Sequence, residues 1–301
     1  MTAGFARSTL PLLLCVLLVC TTSRAQTVTV AAAGDIACGP NAEVGADHCR
    51  MAATADLIAG KGVGAVLALG DLQYPQGSYA DFLNAYDKSW GRFKAITYPT
   101  PGNHEYYLYD AQGYYRYFGA AAHKAQQGYY SFDLGAWHVV ALNSNCLSVS
   151  GCGADSAQVV WLRRDLEAHS DGCTLAFWHH PRFSSGPHGS DDAYQAFWNV
   201  VAAAGADVVL NGHDHLYERF APQSADGTPD AGGVREFVVG TGGASTAGVE
   251  DRQPNSEVVG EDVFGVLFLT LAADGYAWSF ESAAGDAFTD SGEGVCGGIM
   301  P

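Results

Sequence analysis

The 301-residue sequence is poor in basic residues, long apolar runs and closely spaced cysteines, and each shortage argues against a class of protein. Lysine and arginine together number 15 against 32 aspartates and glutamates, which gives a formal net charge of −17. Such a surface repels a phosphate backbone, so we expect no nucleic-acid partner. The absence of any C-x2-C pair argues against a zinc ribbon. No Pro/Ser-rich linker or charge block divides the chain, which predicts one large domain.

The most apolar stretch begins near the N-terminus and is typical of a secretory signal peptide. Arg7 precedes the run from Leu10 to Cys20, and Ser23-Arg24-Ala25 offers small residues for cleavage. The run is shorter than the ~20 residues that a membrane-spanning helix needs. We therefore expect a signal peptide over residues 1–25, secretion of residues 26–301 as a single domain, and no membrane contact after cleavage. A lipoprotein anchor at Cys20 is the alternative.

The cysteines predict disulfide bonds. Six remain in residues 26–301, and an even set in an exported chain is typical of a disulfide framework. Six cysteines allow 15 pairings. Short loops favour Cys38 with Cys49 and Cys146 with Cys152, which leaves Cys173 for Cys296.

Apolar runs and helical periodicity alternate along the chain, which indicates α/β layering. The predicted strands are Val28 to Ile36, Ala65 to Leu72, Thr174 to His179 and Asp207 to Asn211. The predicted helices are Arg50 to Ala59, Tyr79 to Phe93, Ser156 to Ala168 and Asp191 to Ala204, the last capped by Ser190. Two antiparallel hairpins are expected, Tyr129 to Leu134 with Trp137 to Asn143 and Val263 to Ala272 with Tyr276 to Ser282. A mixed sheet or a two-sheet sandwich flanked by helices fits this order.

Polar side chains with metal-ligand chemistry follow many of these runs. They are Asp35, Asp71, Tyr74, Asn103, His104, His179, His180, His188, His213 and His215. Residues two apart on an extended chain point the same way, so His213 and His215 can face one site while Asp214 points away. Each motif alone is a common turn, but five in this order predict a single metal site.

These motifs resemble those of the calcineurin-like metallophosphoesterases, and among them the short, single-domain purple acid phosphatases. The five blocks are Gly34-Asp35, Gly70-Asp71-Leu72-Gln73-Tyr74, Gly102-Asn103-His104-Glu105, Trp178-His179-His180-Pro181 and Gly212-His213-Asp214-His215. The sharpest indicator is Tyr74, together with Ala37 where other branches carry a metal-binding histidine. The resemblance implies an α/β (α+β), four-layer sandwich of mixed β-sheets flanked by helices, with residues 26–301 as the catalytic domain.

The resemblance also implies a two-metal centre. One ion, expected to be Fe(III), would bind Asp35, Tyr74 and His215, and Asp71 would bridge to the second. Zn(II), Mn(II) or Fe(II) would bind Asn103, His179 and His213. Two ions about 3.5–4 Å apart can activate a water and stabilise in-line displacement at phosphorus. Asp71, His104 and His188 would be catalytic, the two histidines contacting phosphate and helping to protonate the leaving group.

The function expected from these residues is a secreted acid phosphatase-like phosphomonoesterase acting on small phosphate esters. The alternatives are a phosphodiesterase or nucleotidase on the same metals, and a non-catalytic exported metal- or phosphate-binding protein. His179 is preferred to His180 as the ligand, and Glu105 is expected to orient His104 or a ligand. His48, His123, His138 and His169 lie outside every motif and are interpreted as ordinary surface or packed histidines. Oligomeric state stays open.

Overall fold

The computed structural model describes residues 1–4, 27–283 and 287–297, so the predicted signal peptide lies outside the described residues except for its first four positions. No helix in these described ranges is long and apolar enough to cross a bilayer. The α-helices are α1 (Met51–Ile58), α2 (Tyr79–Asn84), α3 (Asn103–Tyr106), α4 (Gln112–Phe118), α5 (Ala157–Ala168) and α6 (Gln195–Ala203). The β-strands are β1 (Val28–Ala33), β2 (Ala65–Leu69), β3 (Thr97–Thr100), β4 (Tyr130–Leu134), β5 (Trp137–Ala141), β6 (Cys173–Phe177), β7 (Val208–Asn211), β8 (Tyr217–Phe220), β9 (Arg235–Val239), β10 (Ser256–Gly260), β11 (Gly265–Leu271), β12 (Gly275–Ser282) and β13 (Thr289–Val295).

The strands form two mixed sheets. The six-stranded sheet has the order β13-β12-β11-β1-β2-β3, and the seven-stranded sheet has the order β10-β8-β9-β7-β6-β5-β4. β1, β2 and β3 are parallel neighbours, as are β5, β6, β7 and β9. Both predicted hairpins form, β4 with β5 and β11 with β12.

The alternation of side chains along β6 and β7 builds two layers of core, because successive side chains point to opposite faces of a sheet. Leu175 and Leu210 pack with Leu67 of the other sheet between the two sheets. Ala176 and Val209 pack on the outer face against α5 and α6. The central strands are buried on both faces, which explains their continuous apolar sequence.

Two helix predictions need correction. The predicted helix Tyr79 to Phe93 ends at Asn84 and continues as short 3-10 helices, Tyr86–Lys88 and Trp90–Ile96. The break occurs because the Tyr86 amide donates to Gln73 Oε1 at 3.1 Å, a tertiary bond that replaces a helical one. Ser190 does not cap the predicted helix at 191–204. A 3-10 turn precedes α6, and its cap is Asp191, whose Oδ1 accepts from the Ala193 amide.

Candidate metal centre

Three candidate ligands occupy the same kind of turn. Asp35, Asp71 and His213 are each the second residue after a strand, and their φ angles are +59°, +49° and +72°. A left-handed backbone costs a non-glycine residue of the order of 1–3 kcal/mol, and such residues cluster at functional sites. Because β1 and β2 are parallel, as are β6 and β7, their carboxyl ends carry these turns to one edge of each sheet.

The first group of side chains meets around the phenol of Tyr74. Its hydroxyl donates to Asp35 Oδ1 at 2.8 Å and lies 3.0 Å from His215 Nε2. His215 Nε2 is 3.3 Å from the same Asp35 oxygen. The structure therefore brings together all three residues predicted for the first ion.

The second group meets around His179. His179 Nε2 lies 3.2 Å from Asn103 Oδ1 and 3.3 Å from His213 Nδ1. Its Nδ1 donates to the Leu69 carbonyl at 2.8 Å, which leaves Nε2 with a lone pair for a metal. These are the three residues predicted for the second ion.

Asp71 lies between the two groups. Its Oδ2 is 3.1 Å from the Tyr74 hydroxyl and 3.3 Å from His179 Nε2, while Oδ1 accepts from the His104 amide at 2.8 Å. One oxygen thus contacts both groups, as a bridging carboxylate would.

The glycines of the motifs make room for ligands of other motifs. A Cβ atom on Gly212 would lie 2.7 Å from Asp35 Oδ2, and one on Gly102 would overlap Asp71 Oδ1. Gly212 and Gly102 are therefore required by the close approach of a carboxylate from another motif. This packing holds the loops of both sheets together.

The electrostatics of the centre favour bound cations. Asp35 and Asp71 are almost completely buried, and buried carboxylates require compensating positive charge. Burial raises the pKa of Asp71, but the charge of His179 outweighs it and the pKa lies well below its usual range. Burial lowers the pKa of His179, yet Asp71 raises it to about 9, so in the metal-free protein a proton occupies the position a metal would take. The donors, two carboxylates, a phenol, an amide oxygen and three imidazoles, fit two metal ions.

Tyr74 is a protonated phenol in the metal-free protein. Burial raises its pKa well above the usual value, and the nearby carboxylates of Asp35 and Asp71 raise it further. A phenolate at this position therefore needs a strongly charged ion beside it.

Two histidines lie at the rim. His104 Nδ1 donates to the Pro75 carbonyl at 2.7 Å, and the His104 ring packs 4.2 Å from that of Tyr74. His188 is half exposed, and its ring lies 4.1 Å from that of His213. Both predicted catalytic histidines are next to the candidate ligands.

Glu105 has a different position from the one expected. Its carboxylate accepts from the backbone amides of Leu72, Gln73 and Gly102 at 2.8–3.2 Å. These bonds hold backbone groups and not the side chain of His104 or of a predicted ligand. Glu105 fixes the loop after β2 to the loop after β3. His180 bonds Ser144 Oγ at 2.7 Å through Nδ1, although it also lies close enough to His179 and His213 to join a metal-binding group.

His138 and His169 form a cluster with two aspartates. His138 is buried, with Nδ1 and Nε2 each 2.9 Å from a carboxylate, of Asp133 and Asp165. The His169 ring stacks on it at 3.9 Å and 9°. A metal ion binds a histidine nitrogen in the plane of the ring. Because the two stacked ring planes are nearly parallel, one ion cannot lie in both planes, so we interpret this cluster as an ionic contact.

Sequence reasoning missed two contributors to the centre. Ser245, in no motif, lies 2.6 Å from His215 Nδ1 and orients that ring. Tyr107 accepts from Asn103 Nδ2 at 3.1 Å and is exposed beside His104, whereas Tyr114, Tyr115 and Tyr117 are buried in the core. The tyrosines that follow Asn103 are thus divided between the exposed rim and the core.

Comparison with known proteins agrees with this geometry. Residues 28–217, more than half of the chain, match the family described as Calcineurin-like phosphoesterase. The chain belongs to the calcineurin-like phosphoesterase family. It is 27% identical over 175 residues to purple acid phosphatase 18 of Arabidopsis thaliana, covering 55% of this chain and 39% of that one.

Solved structures show the metallophosphoesterase fold. Purple acid phosphatase PPD1 from yellow lupin (Lupinus luteus) seeds superposes with a TM-score of 0.63 at 18% identity, over 90% of this chain and 54% of that one. GAP50, the anchor in the inner membrane complex of Plasmodium, gives 0.61 at 14% identity over 88% of both chains. The predicted two-sheet sandwich flanked by helices is confirmed. This calcineurin-like phosphoesterase chain spans about two fifths of its Arabidopsis relative and about half of the lupin protein.

Proposed function

We propose that this chain is a secreted, metal-dependent phosphomonoesterase of the acid phosphatase type. The observation that carries the proposal is Asp71 Oδ2, which lies within 3.3 Å of both Tyr74 and His179 and so joins two complete sets of metal-binding side chains. Asp35, Tyr74 and His215 would hold Fe(III), and Asn103, His179 and His213 would hold Zn(II), Mn(II) or Fe(II). Bound ions would supply an activated water and positive charge for hydrolysis at phosphorus.

The rim supports a monoester substrate. His104 and His188 place two imidazoles at the mouth of the centre. The hydrogen bond to Asp214 raises the pKa of His188, which favours its cationic form in mildly acidic solution. A phosphate monoester carries up to two negative charges and a diester one, so a cationic His188 favours the monoester. We assign to the two rim histidines contact with phosphate oxygens and proton delivery to the leaving group.

Secretion is supported by the three disulfide bonds, Cys38–Cys49, Cys146–Cys152 and Cys173–Cys296, which are those favoured from the sequence. Disulfides persist in oxidising compartments. Cleavage of the signal peptide is tested by N-terminal sequencing of the exported protein, which should begin at Gln26.

The activity is tested on purified protein by metal analysis, with hydrolysis of p-nitrophenyl phosphate and bis-p-nitrophenyl phosphate measured across pH. Two metals per chain and faster monoester hydrolysis are expected. Asp71→Asn should lose metal and activity together, while Asp133→Asn, a carboxylate that contacts His138 instead, should keep both. Faster diester hydrolysis would replace the proposal with a phosphodiesterase.

A non-catalytic binding role is the second candidate, because GAP50 shares the fold over 88% of both chains and is described as an anchor. That role predicts a fully metal-loaded protein that hydrolyses neither ester. Retention of both rim histidines supports the enzyme instead, since metal binding alone does not require them.

A further inference from the structure

The loop that carries His188 is hydrogen-bonded to a buried carboxylate, that of Asp214. Asp214 Oδ1 accepts from both the backbone amide and the ring Nδ1 of His188, each at 2.9 Å. Its Oδ2 accepts from the Ser184 hydroxyl of the same loop. The side chain of Asp214 is completely buried, so both carboxylate oxygens are committed to this loop.

The position of Asp214 in the chain connects this contact to the centre. Asp214 stands between His213 and His215, two candidate ligands, and its carboxylate bonds His188 and Ser184. One short segment therefore supplies two metal-binding side chains and the partner of His188. A Cβ on Gly186 would collide with the Asp214 carboxylate, so the loop approaches as closely as glycine allows.

The contact fixes the tautomer of His188. A carboxylate accepts hydrogen bonds, so Nδ1 carries a proton and Nε2 is the nitrogen that gains and loses one. The ring also packs 4.1 Å from the His213 ring, which fixes its plane beside the centre. A buried carboxylate that holds an imidazole in one tautomer and stabilises its cation is a known way to prepare a general acid.

We propose that Asp214 is a positioning residue that prepares His188 to protonate the leaving group; this rests on the proposed phosphoesterase function. In that step the water oxygen forms the new bond to phosphorus, and its released proton goes to solvent. The bond from phosphorus to the ester oxygen breaks, and that oxygen takes the proton from His188 Nε2. The neutral ring keeps its Nδ1 proton, which stays hydrogen-bonded to Asp214, and Nε2 is reprotonated from solvent.

The test compares leaving groups in the metal-loaded protein. Asp214→Asn should lower kcat roughly 10²- to 10³-fold on alkyl phosphates, whose leaving oxygen needs a proton, and little on dinitrophenyl phosphate. His188→Gln should give the same pattern, and the double variant should add little. Asp133→Asn removes a carboxylate that lies at the same distance, 2.9 Å, from His138, and it should leave kcat unchanged on both substrates. Metal content should stay at the wild-type value in all variants.

A second measurement does not depend on activity. Long-range ¹H–¹⁵N NMR of the metal-free wild type should show the His188 proton on Nδ1, and Asp214→Leu, which leaves no acceptor for that proton, should abolish this preference. An unchanged tautomer in the variant, or an equal loss on every leaving group, would overturn the inference. A wild type that is inert to all esters but shows the Nδ1 proton defeats the proposed function alone. If Asp214→Asn does not fold, Gly186→Ala crowds the same carboxylate and must give the alkyl-selective loss.

Discussion

The hydroxyl of Tyr74 lies within 3.1 Å of side-chain atoms of Asp35, Asp71 and His215, so its removal is a specific probe of the first ion. Tyr74→Phe should abolish the visible absorption of iron-loaded protein, because that colour would arise from a phenolate on Fe(III). Phenylalanine fills nearly the same volume, so we expect the fold to persist, with a circular dichroism spectrum like that of the wild type. The measurement is the absorption spectrum at equal iron content.

Tyr107→Phe is the matched control. Its hydroxyl contacts Asn103 at 3.1 Å, near the centre but outside the first group. The control should keep its colour. A Tyr74→Phe protein that remained equally coloured would show that another group binds the iron.

Individual residues also show where sequence reasoning stops. The candidate ligands, which the structure brings together, could be proposed from the sequence because they follow strands and their residue types are those that metals bind. Asp214 and Ser245 could not be assigned partners, since each contacts a residue 26 or 30 positions away through the folded chain. Strand alternation predicts that Asp214 points away from His213 and His215, but His213 adopts φ +72°, so these residues lie in a turn and not in an extended strand.

Among the elements, His138 on β5 joins β4 and α5 through Asp133 and Asp165. Burial lowers the pKa of His138, but the hydrogen bonds to Asp165 and Asp133 outweigh it and the pKa is raised. A raised folded-state pKa stabilises the protein below the unfolded-state pKa of about 6.5, and this contribution is lost as pH rises through the folded-state value. His138→Gln should therefore cost about 1–3 kcal/mol of unfolding free energy at pH 5.5 and less at pH 8.5.

Urea denaturation at the two pH values measures this difference. His48→Gln is the control, because His48 forms an exposed pair with Asp47 at 2.7 Å, and exposed pairs contribute little. A cost for His138→Gln that is larger at pH 8.5 would contradict the ionic interpretation of the cluster.

Elements with strong local signals were predicted well, and those shaped by tertiary contacts were not. β2 and the two hairpins follow from continuous or turn-bounded apolar runs. The end of α2 depends on the hydrogen bond that the Tyr86 amide donates to Gln73 Oε1. The sequence pattern of residues 79–93 does not indicate that bond, because Gln73 lies outside this range. The start of the helix near residue 191 likewise depends on Ser190 accepting from the Ser184 amide instead of capping.

For the whole molecule, the Cys173–Cys296 bond joins the two sheets, since Cys173 begins β6 and Cys296 follows β13. Its sequence separation is 123, against 6 for Cys146–Cys152. In the chain-entropy account, replacing the first pair with serine should cost about 2–3 kcal/mol more than replacing the second. Thermal unfolding of the two double variants checks this, and an equal cost would show that loop closure does not govern the stability here.

The same two sheets meet again at their other end, where Asp35, Asp71 and Asn103 come from one sheet and His179, His213 and His215 from the other. The sandwich is thus connected at both ends, by a disulfide bond at one and by contacts between candidate metal ligands of the two sheets at the other. Two such connections oppose separation of the sheets. Under the proposed function, selection among phosphate esters would then depend on the outline of the mouth formed by the loops.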